Sequence, residues 1–150
     1  MTTTEIRTDL SLSIDRVINA PAEKLFNAWL DPEMLKKFML PGPDMSLPSA
    51  KVDAREGGRF DLIMRDATDD MPHGGVYKKI DPHSQIIFSW ESAWSPAESE
   101  VTLDFEPVAE GTRVTLTHQT FYDEEKRDNH QAGWGAILRT LDETMSAAVS

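Results

Sequence analysis

Four histidines, no cysteine and a surplus of carboxylates set the chemical vocabulary of this chain. His118 is the polar residue best placed to act. It falls in the alternation Val114, Leu116, His118, with Thr115 and Thr117 between them, so it shares a strand face with two aliphatic residues. An imidazole on such a face is either a hydrogen-bonded part of the core or a group reaching into a pocket, where it would orient a ligand or act as acid or base. His73, His83 and His130 fall in expected loops or at the start of the last helix. No two of the four have the spacing of a His-Glu-x-x-His helix. With no thiolate available either, a structural or catalytic metal is not expected. Asp53, Asp61, Asp104 and Glu106 alternate with apolar neighbours, which puts them on outer, solvated strand faces and not in a catalytic pair. There is no Gly-x-Ser-x-Gly elbow and no phosphate-cradling glycine loop. The residues thus nominate no catalytic group and no cofactor.

The larger reservoir is apolar. Trp29, Phe38, Met39, Met64, Phe88, Trp90, Phe105, Phe121 and Trp134 are each candidates for the core. Several together would make the adaptable wall of a pocket for apolar ligands. Trp134 stands between Gly133 and Gly135 in a helical stretch, where each glycine costs about 1 kcal/mol relative to alanine. Close approach of the sheet backbone, or a bend that opens a cavity, would account for the pair.

These residues must be positioned by a small set of elements. Residues 120–149 carry the longest helical signal, a stripe of Trp134, Ile137, Leu138, Leu141, Met145 and Val149. Thr120 with Asp123 three residues on resembles a capping box, and Asp123 itself is the other candidate cap. Ahead of it, a polar lead-in (1–9) is followed by a strand over 10–18. Pro21 opens a helix over 22–30, and Asp31-Pro32 opens a second that carries Met34, Leu35, Phe38 and Met39. Pro41-Gly42-Pro43 stops it. Period-two alternation then predicts strands from 49 onward, with Glu56-Gly57-Gly58 as a hairpin signal. The next strand holds Phe60, Leu62 and Met64, and 66–72 reads as a turn. Further strands cover 75–80, 85–91, 101–106 and 114–118, and 92–99 is a loop. Runs of strands with helices at the ends argue for an α+β domain, its antiparallel sheet covered on one face by the last helix.

At 150 residues the chain suits one domain, 1–150, with its core at about 10–149. Hydrophobic content of 39% and charged content of 27% are ordinary for a globular protein. A formal net charge of −11 argues against nucleic acid and against an anionic membrane surface as partners. No secretory leader or membrane span is legible, so the expected location is cytoplasmic.

Specific stretches add a resemblance. Arg16-Val-Ile-Asn-Ala-Pro21, Leu25-Phe26-Asn-Ala-Trp29 and Asp31-Pro32-Glu33 come first. Glu56-Gly57-Gly58-Arg59-Phe60, Gly75-Val76-Tyr77 and Ile87-Phe88-Ser89-Trp90 follow. Gly111-Thr112-Arg113-Val114-Thr115-Leu116-Thr117-His118 and Gly133-Trp134 complete the series. In this order they resemble the START-like (SRPBCC, helix-grip) superfamily, and more narrowly the branch related to the C-terminal domain of the activator of the heat-shock-protein-90 ATPase. The resemblance spans roughly residues 10–145. It departs where that family often has a tryptophan-rich segment, which here reads Lys37-Phe38-Met39-Leu40-Pro41.

The resemblance implies a seven-stranded antiparallel curved sheet gripping the C-terminal helix, with two short helices after the first strand and a cavity between sheet and helix. Its implied ligand is a hydrophobic small molecule, lipid-like or aromatic. The candidate ligand-binding set is Trp29, Phe38, Met39, Met64, Tyr77, Phe88, Trp90, Phe105, His118, Trp134, Ile137 and Leu138. One alternative is a co-chaperone-like interaction domain whose partner is a chaperone; it ranks second because such activators carry a further N-terminal domain. A cyclase or aromatase using His118 and Tyr77 in proton transfers is the other. The ligand's identity and the choice between monomer and homodimer stay open at this level.

Overall fold

Alternation of apolar and polar residues produces seven strands: β1 (Arg7–Ile18), β2 (Ser46–Val52), β3 (Arg59–Arg65), β4 (Asp70–Asp81), β5 (Gln85–Ser89), β6 (Glu100–Val108) and β7 (Gly111–Phe121). Two short helices, α1 (Ala22–Ala28) and α2 (Pro32–Phe38), follow β1, and α3 (Glu124–Val149) closes the chain. The computed structural model describes residues 7–42, 44–93, 95–96 and 99–149, excepting the side chains of 7, 8 and 146–149. The expected lead-in at 1–6, Pro43 of the helix stop, residues 94, 97 and 98 of the loop and the side chain of Val149 lie outside that set.

The strands form one antiparallel, curved, open sheet in the order β1-β7-β6-β5-β4-β3-β2. Leu62, Ile86, Leu103 and Leu116 are buried on its inner face, while the outer face carries Arg59–Glu91, Lys78–Glu100 and Arg113–Asp15 ion pairs. Those exposed pairs contribute roughly 0–1 kcal/mol each, so the fold rests on the apolar face. The stripe Trp134, Ile137, Leu138, Leu141 and Met145 is buried as α3 packs across the sheet on β1. Each such side chain contributes about 1.5–3 kcal/mol on burial. Arg16 Nε donates to Asp142 Oδ2 at 2.8 Å and holds the far end of α3 to β1.

Element ends differ from the sequence reading in informative ways. Pro48 lies inside β2, which is tolerated because β2 is an edge strand and needs no ladder bond there. The turn expected over 66–72 is shorter. The Asp66 carboxylate accepts from Thr68 and Asp69 N–H at 2.8 and 2.7 Å, closing the chain within four residues. Residues 70–74 are thereby released to pair with β3, so Met71 lies opposite Met64 and His73 opposite Leu62. His73 is therefore a strand residue and not a loop residue. The helix expected to begin at Thr120 begins at Glu124. Asp123 is its cap, with Oδ1 accepting from Lys126 N–H at 2.8 Å. Thr120 is the penultimate residue of β7 instead, in a left-handed conformation (φ 75°) that β-branched residues rarely adopt. α1 stops at Ala28, two residues short of the expected end. Asp31 caps α2 by accepting from Glu33 N–H at 2.9 Å, as its Asp-Pro signal implied.

β4 meets β5 through a glycine that has no alternative. A Cβ on Gly75 would lie 1.9 Å from the Ser89 carbonyl oxygen and 2.9 Å from the Phe60 ring. Beside it Val76 N–H donates to Ser89 Oγ at 2.9 Å, and the β4–β5 register shifts between Tyr77 and Lys79.

Candidate ligand cavity

Between the first turns of α3 and the β3–β4 corner of the sheet the inner face is not filled, and a cavity of about 400 Å³ remains. β3 supplies Met64, β4 supplies Met71 and His73, and Trp90 follows β5. The segment after α2 supplies Pro41 and Met45. From α3 come Lys126, Asn129, His130, Gly133, Trp134 and Ile137, whose spacing of three and four puts them on one helix face. Two layers result. Methionine, tryptophan and isoleucine line the interior, and Lys126, Asn129, His130 and His73 supply the polar atoms.

The approach of α3 to its neighbours explains one of the two glycines. A Cβ on Gly133 would lie 3.2 Å from Pro41 Cβ. The close contact is thus with the segment after α2 and not with the sheet backbone, one of the two reasons that the sequence reading offered. Gly135 meets nothing within 4 Å, so packing gives no reason for it.

Two hydrogen-bonded histidines hold the helix side of the cavity in place. His118 on β7 is fully buried directly behind Trp134. Trp134 Nε1–H donates to His118 Nδ1 at 3.0 Å, which leaves the ring proton on Nε2 to be donated to Ser99 Oγ. Burial pushes the His118 pKa well below 6.5, with a smaller contribution from His130, so the ring is neutral at pH 7. His130 sits in the opposite tautomer. Its Nδ1–H donates to the Lys126 carbonyl at 2.7 Å, and Nε2 accepts from Ser95 Oγ at 2.9 Å, which in turn accepts from Ser92 Oγ at 3.1 Å. His73 Nδ1–H donates to the Met71 carbonyl at 3.0 Å. Burial lowers the pKa values of His73 and His130 as well. Both line the cavity as neutral rings.

The expected ligand-binding residues separate by depth. Met64, Trp90, Trp134 and Ile137 line the cavity. Trp29, Met39, Tyr77 and Phe88 surround, with Trp90, a void of only about 10 Å³, room for one water at most. Burial pushes the Tyr77 phenol above its ordinary range, as suits a core residue. Phe38, Phe105 and Leu138 are buried away from the cavity, and His118 is separated from it by Trp134. The sequence reading missed Pro41, Met45, Met71, His73, Lys126, Asn129, His130 and Gly133. A usable signal existed for part of this set, because Lys126, His130, Gly133 and Ile137 fall at helical spacing beside Trp134. Among the described residues, no group of three or more His, Asp or Glu side chains is placed to hold a metal ion, and no helix is long and apolar enough to cross a membrane.

Comparison with known proteins adds a lineage to this geometry. The model of the family described as "Activator of Hsp90 ATPase homolog 1-like protein" matches residues 19–146. Among solved structures, a protein from Chromobacterium violaceum superposes with a TM-score of 0.81 at 24% identity, over 89% of this chain and 95% of that one. An AHSA1-like protein from Aeromonas hydrophila gives 0.81 at 23% identity, over 93% and 94%. A protein from Nitrosomonas europaea gives 0.79 at 24% identity, over 95% and 97%. At these identities the likeness is one of fold. No curated protein matches the chain.

Proposed function

The chain belongs to the Activator of Hsp90 ATPase homolog 1-like family, and from that premise we propose that it is a binding module that holds a hydrophobic small molecule, lipid-like or aromatic, between α3 and the sheet. The observation that carries this reading is the cavity of about 400 Å³ walled by Met45, Met64, Met71, Trp90, Trp134 and Ile137. That volume and that lining suit small-molecule sites, which are concave, mostly apolar and fitted with a few polar groups. Methionines adapt to ligand shape, and the tryptophans offer broad faces. The Trp90 and Trp134 rings lie 4.9 Å apart at 59° and support one another as a wall.

The test is a thermal-shift screen of lipids and aromatic metabolites against the purified protein. A ligand at 100 times its Kd stabilises the folded state by about 2.7 kcal/mol, which for a chain of this size raises Tm by roughly 5–10 °C. A screen in which no apolar compound raises Tm would count against the reading.

The family description supports a second reading, an interaction domain for a chaperone ATPase. Stimulation of a chaperone's ATPase rate by the purified chain would favour it. The cyclase alternative nominated His118 and Tyr77, and neither lines the cavity. Among the histidines His73 and His130 do, so a search for turnover starts from those two.

A further inference from the structure

We propose that the ligand of this cavity is an anionic amphiphile: a carboxylate seated against Lys126, on an apolar body of about ten carbons that fills the methionine–tryptophan interior. The inference rests on the binding-module reading and specifies its ligand.

Charge distribution is the first argument. The chain has 26 acidic residues against 15 basic ones, yet among the described residues no Asp or Glu lines the cavity. Among the described residues, the one formally charged lining residue is Lys126. The acidic residues nearest it in sequence, Asp123, Glu124, Glu125 and Asp128, are all exposed and lie outside the lining. Asp123 is occupied in capping the helix, and Asp128 pairs with Arg127. Lys126 itself is half-buried and makes no ion pair among the described residues. A cation in the first turn of a helix opposes the helix dipole, and an external anion would give this placement a favourable partner.

The neighbours of Lys126 fit the same ligand. Asn129 carries an amide that donates, and backbone pairing fixes the tautomers of His130 and His73, whose rings burial keeps neutral. A carboxylate at the rim would gain a charge-assisted contact while its tail left water. An amine head would find no carboxylate among the described lining residues to receive it. Size follows from volume. At roughly 30 Å³ per small group, the liquid share of one water, 400 Å³ holds about a dozen non-hydrogen atoms. A medium-chain fatty acid and a fused-ring aromatic acid share this chemistry.

Calorimetric titration of the full chain at pH 7.5 with decanoate, 2-naphthoate, 1-decanol and decylamine decides the matter, in the wild type and in Lys126→Gln and Lys126→Arg. The expected result is that at least one of the two acids binds ten or more times tighter than decanol. Lys126→Gln abolishes that preference while leaving decanol affinity unchanged, and Lys126→Arg retains it. Which acid binds tighter identifies the source. Decanol or decylamine binding as tightly as both acids would overturn the proposal and leave the binding module standing. So would an acid preference that survives Lys126→Gln. Failure of all four probes to bind would overturn the proposal and the binding-module reading together.

Discussion

Replacing His118 with leucine removes the residue that ties the cavity wall to the sheet. The imidazole is fully buried and serves two partners, accepting from Trp134 Nε1–H at 3.0 Å and donating to Ser99 Oγ. Leucine is of similar size, so little cavity is created, but both partners are left buried and unpaired. Each such group costs about 1–3 kcal/mol, which sums to roughly 2–6 kcal/mol at pH 7.5. That is a large part of the roughly 5–15 kcal/mol of a typical domain. The pH dependence carries a second signature. Burial holds the folded-state pKa of His118 well below its usual 6.5, so the unfolded chain binds more protons below that pH. The stabilisation is fully present above about pH 6.5 and is lost as pH falls towards the folded-state pKa, at up to about 1.4 kcal/mol per pH unit. The leucine variant lacks this term, so the gap between the two proteins narrows by up to about 2 kcal/mol from pH 6.5 to pH 5. Urea unfolding followed by tryptophan fluorescence at several pH values measures both quantities. A loss under about 1 kcal/mol at pH 7.5, or a gap that does not change with pH, would refute the reasoning.

Gly135→Ala meets open space and gains helix propensity, so it should stabilise the protein by roughly 0.5–1 kcal/mol. Gly133→Ala gains the same propensity but presses on Pro41, and differential unfolding should show it clearly less stable than Gly135→Ala. Gly75→Ala places a methyl group on the Ser89 carbonyl; separation of β4 from β5 should cost more than about 2 kcal/mol, read from the urea midpoint. His73 and His130 also have lowered pKa values, so stability should fall with pH below about 6.5 more steeply than His118 alone allows. The His118→Leu variant should keep a residual slope that His130→Gln reduces further.

Legibility in the sequence followed the type of signal. Period-two alternation marks strands whose one face is solvated, and it located the β3 and β5–β7 cores because most of the residues between their buried ones are partly or fully exposed, with His118 and Thr112 of β7 and Ser89 of β5 as buried polar exceptions. It failed at β4, where Met71 and His73 belong to a strand, because the Asx turn closing 66–69 lies in a stretch whose composition is turn-like throughout. Of the two cap candidates, Thr120 and Asp123, the structure selects Asp123; a capping pattern in sequence carries no backbone conformation, and the positive φ of Thr120 belongs to the end of β7. In the cavity, periodicity found Trp134 and Ile137 because apolar lining and core share one stripe. Lys126, Asn129 and His130 continue the same helix face with polar side chains, which a search for apolar spacing passes over. Trp29 and Phe88 are chemically like Trp90, and only the packing of α2 and the sheet decides which of them reaches the void. The pairing of His118 with Trp134, sixteen residues apart, depends on α3 lying across β7 and is not written in any local pattern.

The central claim is that a small apolar molecule occupies the space between α3 and the β3–β4 corner. Met71 is half-buried on that wall, so Met71→Trp fills the cavity from its rim with little demand on the core. The most direct measurement is calorimetric titration of whichever of decanoate, 2-naphthoate and 1-decanol binds the wild type most tightly, into the wild type and into Met71→Trp, with Tm recorded for both. The account predicts saturable one-to-one binding by the wild type and at least tenfold weaker binding by the variant, at a Tm within a few degrees. Absence of saturable binding by the wild type, or equal affinity in the two proteins, would contradict it.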